Sequence, residues 1–134
     1  MAIPSLYPIK ARGQIRESID IADQLKPNIQ SIFKATHQFP EDNKAAMLPE
    51  PEYLIGNFIK SITLENGALH VKMGNKIINK LKDKVLTLQP ITVIDSPASP
   101  ISWICGYSKV PTGMQAAGSN MTDIDRKLLP ADCR

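Results

Sequence analysis

Cysteine is almost absent from this sequence: Cys105 and Cys133 are the only two in 134 residues. They lack the CxxC spacing of a zinc or redox site, which leaves one disulfide as the first reading, against two free or metal-bound thiols. Long apolar runs are missing as well. No stretch approaches the roughly 18 residues that span a bilayer, and Met1-Ala2-Ile3-Pro4 has neither the basic n-region nor the apolar h-region of a signal peptide. Charge of one sign is scarce: 16 Lys and Arg against 13 Asp and Glu leave +3, too little for a dedicated nucleic-acid binder unless it is gathered on one patch. Only His37 and His70 supply imidazole, and no HExxH, GxSxG or P-loop accompanies them, so no catalytic histidine is assigned. The 11 prolines and 7 glycines fall without a period, which excludes a collagen-like or low-complexity chain and places them in turns.

What is present is an ordinary globular composition, 43% hydrophobic and 22% charged, in a length suited to one compact domain over residues 1–134. Ile15, Ile19, Ala22, Leu25, Ile29 and Ile32 or Phe33 recur three or four apart, which predicts a helix with one apolar stripe. Its other face, with Arg12, Arg16, Glu17, Asp20 and Asp23, meets water or a polar neighbour. Pro27 lies inside the stripe and predicts a kink rather than two helices. His37 to Pro40 stop the helix, and Pro40, Pro49 and Pro51 punctuate an ordered surface connector running to about Gly56.

Phe58, Ile62 and Leu64 alternate with Ser61, Thr63 and Glu65, and Asn66-Gly67 follows immediately before Ala68-Leu69-His70-Val71. Asn-Gly between alternating runs predicts a two-residue hairpin turn with Leu64 opposite Leu69 and Ile62 opposite Val71. Val85 to Leu88 and Ile101 to Cys105 read as two further strands around an Asp95-Ser96-Pro97 turn. A long helix followed by a run of strands is an α+β pattern in which the helix covers one face of an antiparallel sheet.

A conflict remains at this stage, because a disulfide implies an oxidising compartment and no export signal is visible. The order of the pieces resolves it. Ile3-Pro4, Arg12-Gly13-Gln14, Glu17-Ser18 and Phe39-Pro40-Glu41-Asp42-Asn43 resemble the type IV pilins of bacteria. Met73-Gly74-Asn75, Leu86-Thr87-Leu88-Gln89-Pro90, Trp103-Ile104-Cys105 and Leu129-Pro130-Ala131-Asp132-Cys133-Arg134 resemble the sheet and closing disulfide of that family. The resemblance implies a pilin fold: the C-terminal part of a long helix over 1–36, a connector over 37–56, a four-stranded antiparallel sheet over 57–105, and a loop over 105–133 closed by Cys105 and Cys133.

It further implies that Ala2-Ile3-Pro4 marks the end of the family's apolar helical segment. Met1 is then an initiator on a shortened, soluble form. The missing segment of about twenty residues would carry the N-methylated first residue and the glutamate that aligns subunits, and would insert in the inner membrane before assembly. The implied function is a structural subunit without catalytic activity and without a cofactor, forming a homo-oligomeric helical filament on the bacterial surface. Pilus assembly machinery and its motor ATPases are the implied partners, and adhesion, twitching motility and DNA uptake the implied outcomes.

Three groups of residues stand out against plainer roles. The disulfide ring is the variable region of pilins and binds host glycans in some members, which makes Lys109, Gln115, Ser119 and Asn120 a candidate receptor surface; the plainer role is a structural clasp and subunit contact. Lys72, Lys76, Lys80, Lys82 and Lys84 with Asp83 leave +4 between positions 72 and 84, so the remaining chain is slightly acidic. These lysines are candidates for DNA phosphates, as in a minor or competence pilin, with a solvated loop or an acidic neighbouring subunit as the plainer alternative. No aromatic is interleaved with them, which weakens stacking on single strands. Asp123, Asp125 and Asp132 would suit the calcium of a secretion pseudopilin, but they lack the Gly and distal Glu of a calcium loop, and no metal site is assigned. A small secreted enzyme or periplasmic binding domain is the reading from another class.

Overall fold

The computed structural model describes residues 6–134. The Ile3-Pro4 opening and any helix before Leu6 lie outside the described residues. Helix α1 spans Tyr7–Asp23, with Pro8 in its first turn, where a missing amide hydrogen costs no helical bond. Ala11, Ile15, Ile19 and Ala22 form its buried stripe. Among the described residues no helix is long and apolar enough to cross a membrane.

Instead of one kinked helix there are two. The amides of Gln24 and Leu25 turn back to the carbonyls of Ile21 and Ala22 at 3.1 and 3.0 Å, tightening the last turn of α1. Helix α2 then begins afresh at Lys26–Thr36 with Pro27 in its first turn. Pro27 cannot donate to Asp23, and near a helix start nothing is lost by that, so the break settles two residues ahead of it. The apolar stripe continues across the break through Ile29 and Phe33. His37 ends α2 in the left-handed region at φ 60°, donating its amide to Phe33.

The sheet has five strands rather than the expected four. Strands β1 (Ile59–Glu65), β2 (Ala68–Met73), β3 (Val85–Val93) and β4 (Ser102–Cys105) lie side by side in chain order, all antiparallel. Strand β5 (Met114–Ala116) pairs with Ile91 to Val93 of β3. The hairpin register is the expected one, Leu64 against Leu69 and Ile62 against Val71. Asn66 at φ 47° and Gly67 at φ 95° supply the two positive dihedrals that a two-residue turn needs. At the other end of β1 the pairing shifts between Ile59 and Ser61. That irregularity changes the parity of the strand, so Ile59 is fully buried and Phe58 only partly.

Leu69, Val71, Leu86 and Leu88 point to one face of the sheet and pack with Ile15, Ile19 and Ile29 of the helices. Every one of these side chains is at most 7% exposed, and burial of each large aliphatic contributes about 2 kcal/mol. The connector before β1 includes a short 3-10 turn at Pro51–Tyr53.

Candidate functional site

The alternation that sends Leu69 and Leu88 toward the helices sends His70, Thr87 and Gln89 to the opposite face. Polar residues there suggest a solvated surface, yet all three are buried. They are covered by the C-terminal half of the disulfide ring, which straps across the sheet. After β5, Gln89 Nε2 donates to the carbonyls of Ala117 and Gly118 at 3.2 and 3.3 Å. Ser119 donates its amide to Glu65 Oε1 at 2.9 Å, and Met121 donates its amide to Thr87 Oγ1 at 3.0 Å. The chain then runs along the far edge of β3, where Thr87 N–H donates to Thr122 Oγ1 and Val85 N–H to Asp123 Oδ1.

His70 anchors the strap from below. Its Nε2 lies 3.0 Å from Glu65 Oε1 and its Nδ1 2.8 Å from Thr87 Oγ1. A neutral ring satisfies every atom: Nε2–H donates to Glu65, while the Thr87 hydroxyl donates to Nδ1 and accepts from Met121. Burial alone would raise the Glu65 pKa, but the Ser119 amide, His70 and Asn66 outweigh it and hold the carboxyl below its ordinary value. His70 therefore has a structural part that its sequence context hides, since the covering segment lies some fifty residues downstream.

Cys105 and Cys133 are bonded, closing the ring. The segment beyond the strap folds back on α1. Arg12 donates to the Lys127 carbonyl at 2.7 Å, Arg16 pairs with Asp132 at 3.0 Å, and Tyr107 Oη donates to the Ile124 carbonyl at 2.9 Å. Asp123 and Asp125 are likewise taken by backbone amides, of Val85 and Lys127. Among the described residues no three His, Cys, Asp or Glu side chains are grouped to hold a metal.

The four receptor candidates are divided among different tasks. Lys109 and Gln115 are exposed, and Gln115 on β5 lines a depression of about 380 Å³ with Phe33, Phe39 and Asp95. Ser119, also exposed, gives its backbone amide to Glu65, and Asn120 donates from Nδ2 to the Gly106 carbonyl at 2.8 Å. Lys76, Lys80, Lys82 and Lys84 share the loop between β2 and β3, while Lys72 lies on β2 opposite Val85. Asp83 within that loop pairs with Lys60 of β1 at 3.1 Å, and Lys60, Lys72 and Lys82 keep its pKa lowered. Lys80 lies over the Tyr7 ring, and Lys80 and Lys84 border a cavity of about 530 Å³ together with Lys127.

This architecture of helix, hairpin, sheet and disulfide-strapped C-terminus has a match in sequence. Residues 11–134 fit the family described as Pilin (bacterial filament). The chain belongs to the pilin family. Over its whole length this pilin is 30% identical to a type IV major pilin protein PilE1 of Neisseria gonorrhoeae, covering 76% of that protein. A second PilE1 of the same species is 28% identical and is covered over 64% of its length. A fimbrial protein of Neisseria meningitidis serogroup B (strain ATCC BAA-335 / MC58) is 26% identical, with 82% covered.

Proposed function

We propose that this pilin is the repeating subunit of a type IV pilus, a structural protein and not an enzyme, assembled in many copies into a helical filament on the bacterial surface. The family match over residues 11–134 carries this reading, and the names of its relatives, major pilin and fimbrial protein, agree with it. In this reading an apolar segment preceding the described residues anchors the subunit in the inner membrane before the assembly machinery takes it into the filament. The exposed residues of α1, Arg16, Glu17 and Asp20 among them, face neighbouring heads.

Adhesion and twitching follow from extension and retraction of such a filament. All four candidates are exposed; Lys109 and Gln115 are taken first, because the Ser119 backbone is tied to Glu65 and the Asn120 side chain to the Gly106 carbonyl. Deleting the gene in the parent bacterium is expected to abolish filaments, twitching and attachment to host cells together. Filaments and twitching that persist unchanged in the deletion strain overturn the reading. Restoring the gene with Lys109→Ala and Gln115→Ala is expected to return filaments but not attachment; full attachment removes the receptor role.

A second reading, a minor or competence pilin that captures DNA, is favoured by one observation: Lys76, Lys80, Lys82 and Lys84 are all exposed on a single loop. Contact with several phosphates makes binding fall steeply with salt. Filter binding of duplex DNA between low and moderate salt tests it, and a flat response removes it.

A further inference from the structure

Two surfaces of this molecule complement each other and cannot meet within one copy. The first is a knob on the connector. Met47, Tyr53 and Ile55 are 79%, 72% and 59% exposed, although each is a large apolar side chain. Glu50 and Glu52 stand exposed beside them, close enough that Glu52 raises the Glu50 pKa by hydrogen bonding and like-charge repulsion. Lys44 is the nearest cation along the connector, and the stretch from Met47 to Ile55 has none. An apolar tip with two mutually repelling carboxylates is a surface that gains from an apolar, basic counterpart.

The second surface is the cavity of about 530 Å³ at the start of α1. Tyr7, Leu81 and Leu128 give it apolar walls, and Lys80, Lys84 and Lys127 border it. Asp123 and Asp125 also line it, but each accepts from a backbone amide, at 2.6 and 3.0 Å, and so is partly spoken for. The three lysines outnumber these two carboxylates, and the carboxylate inside the lysine loop, Asp83, is bound to Lys60.

The two surfaces lie at different heights along α1. A Cβ on Gly56, next to the knob, would stand 3.0 Å from Ile21 Cδ1. The cavity is at the level of Tyr7, whose ring carries Lys80. The separation of fourteen positions from Tyr7 to Ile21 corresponds to about 21 Å of helix. A copy displaced along the helix axis therefore brings its knob toward the cavity of its neighbour. Two different patches used head to tail leave one of each free at the ends, so such a contact propagates and does not close.

We propose that the knob of one copy, with Tyr53 and Glu52 at its tip, seats in the Lys80, Lys84 and Lys127 cavity of a second copy of this chain. The proposal rests on the filament reading above and names the contact between heads. It assigns the lysine loop a protein partner, in place of DNA or lipid.

The test uses filaments made from the complete protein. Glu52→Cys and Lys84→Cys variants are produced together in one cell, and sheared filaments are oxidised and run without reductant. A cross-linked dimer is expected in mixed filaments and is expected to be at least tenfold weaker in filaments of either variant alone. Wild-type filaments without a cross-link in the mixed ones overturn the proposal and leave the filament reading intact; no wild-type filaments at all would instead sink the filament reading. As a second arm, Lys80→Glu with Lys84→Glu is expected to lower filament yield at least tenfold, and adding Glu50→Lys with Glu52→Lys to restore it to within about twofold. If the lysine variant keeps wild-type filament yield and loses binding to phosphatidylglycerol vesicles, the cavity faces a membrane and the proposal is overturned.

Discussion

Glu65 and His70 flank the hairpin turn and meet on the face of the sheet away from the helices, Oε1 to Nε2 at 3.0 Å. Through Glu65 the pair holds the Ser119 amide, and through Thr87 it holds the Met121 amide, so two points of the strap hang on one buried imidazole. The surface of the disulfide ring is consequently set from beneath, by the buried His70 and Thr87 together with the half-buried Glu65.

Removing the hydroxyl of Thr87 tests that arrangement. Thr87→Val keeps the shape but leaves His70 Nδ1 and the Met121 amide without their partner, which is expected to cost about 2 kcal/mol. Urea unfolding at neutral pH measures it. A loss below about 0.5 kcal/mol would mean the strap is held by other bonds.

Acid is expected to weaken the same anchor. The folded-state pKa of Glu65 is depressed below its ordinary value of 4.5. Its contribution is therefore complete above that value and is lost as pH falls through the lower, folded-state pKa. Glu65→Gln is expected to reduce stability at pH 7 and to flatten the fall in urea midpoint below about pH 4.5. An unchanged slope in that variant places the acid sensitivity elsewhere. Asp83 and Asp132, lowered chiefly by hydrogen bonds from Lys60 and Arg16, are the other candidates, though exposed pairs of this kind contribute little.

The disulfide stabilises by closing a ring whose ends lie 28 positions apart. Loop-closure entropy puts its contribution at about 3.5 kcal/mol. Cys105→Ser with Cys133→Ser is expected to show a loss of that order by urea unfolding, with the strap opening before the sheet in amide exchange. Simultaneous exchange of the strap and β2 contradicts the order.

Two glycines give opposite signs. Gly118 holds φ 70° within the strap, and a Cβ there would come within 2.5 Å of Ala68 Cβ and 2.7 Å of the Glu65 carbonyl. Gly118→Ala is expected to cost about 3 kcal/mol. Gly13 lies within α1 with nothing inside 4 Å of an added Cβ. Gly13→Ala is expected to stabilise by about 0.8 kcal/mol, since alanine loses less entropy in a helix. Thermal melts of the two variants check both signs.

The hairpin and the helical stripe were legible in sequence because each is a short-range matter: Asn66-Gly67 dictates its turn, and the spacing of Ile15, Ile19 and Ala22 dictates one helix face. The break before Pro27 was not, since periodicity is the same for a kinked helix and for two helices in line. The three residues of β5 have too little pattern to be read as a strand, and gain their place from the free upper half of β3. The burial of His70, Thr87 and Gln89 had no local signal, because the segment that covers them is distant in sequence. The paired cysteines were legible; that the Ser119 backbone and the Asn120 side chain also tie down the exposed ring was not, because their partners Glu65 and Gly106 are distant in sequence.

The filament reading is tested most directly by gain of function. A strain lacking its own pilin is supplied with the complete gene for this protein and examined by electron microscopy, with the sheared material analysed by mass. Filaments built of this chain, with Cys105 and Cys133 oxidised, are the predicted result. Folded, disulfide-bonded protein that stays with the cells and forms no filament, in a strain whose own pilin restores them, would contradict it.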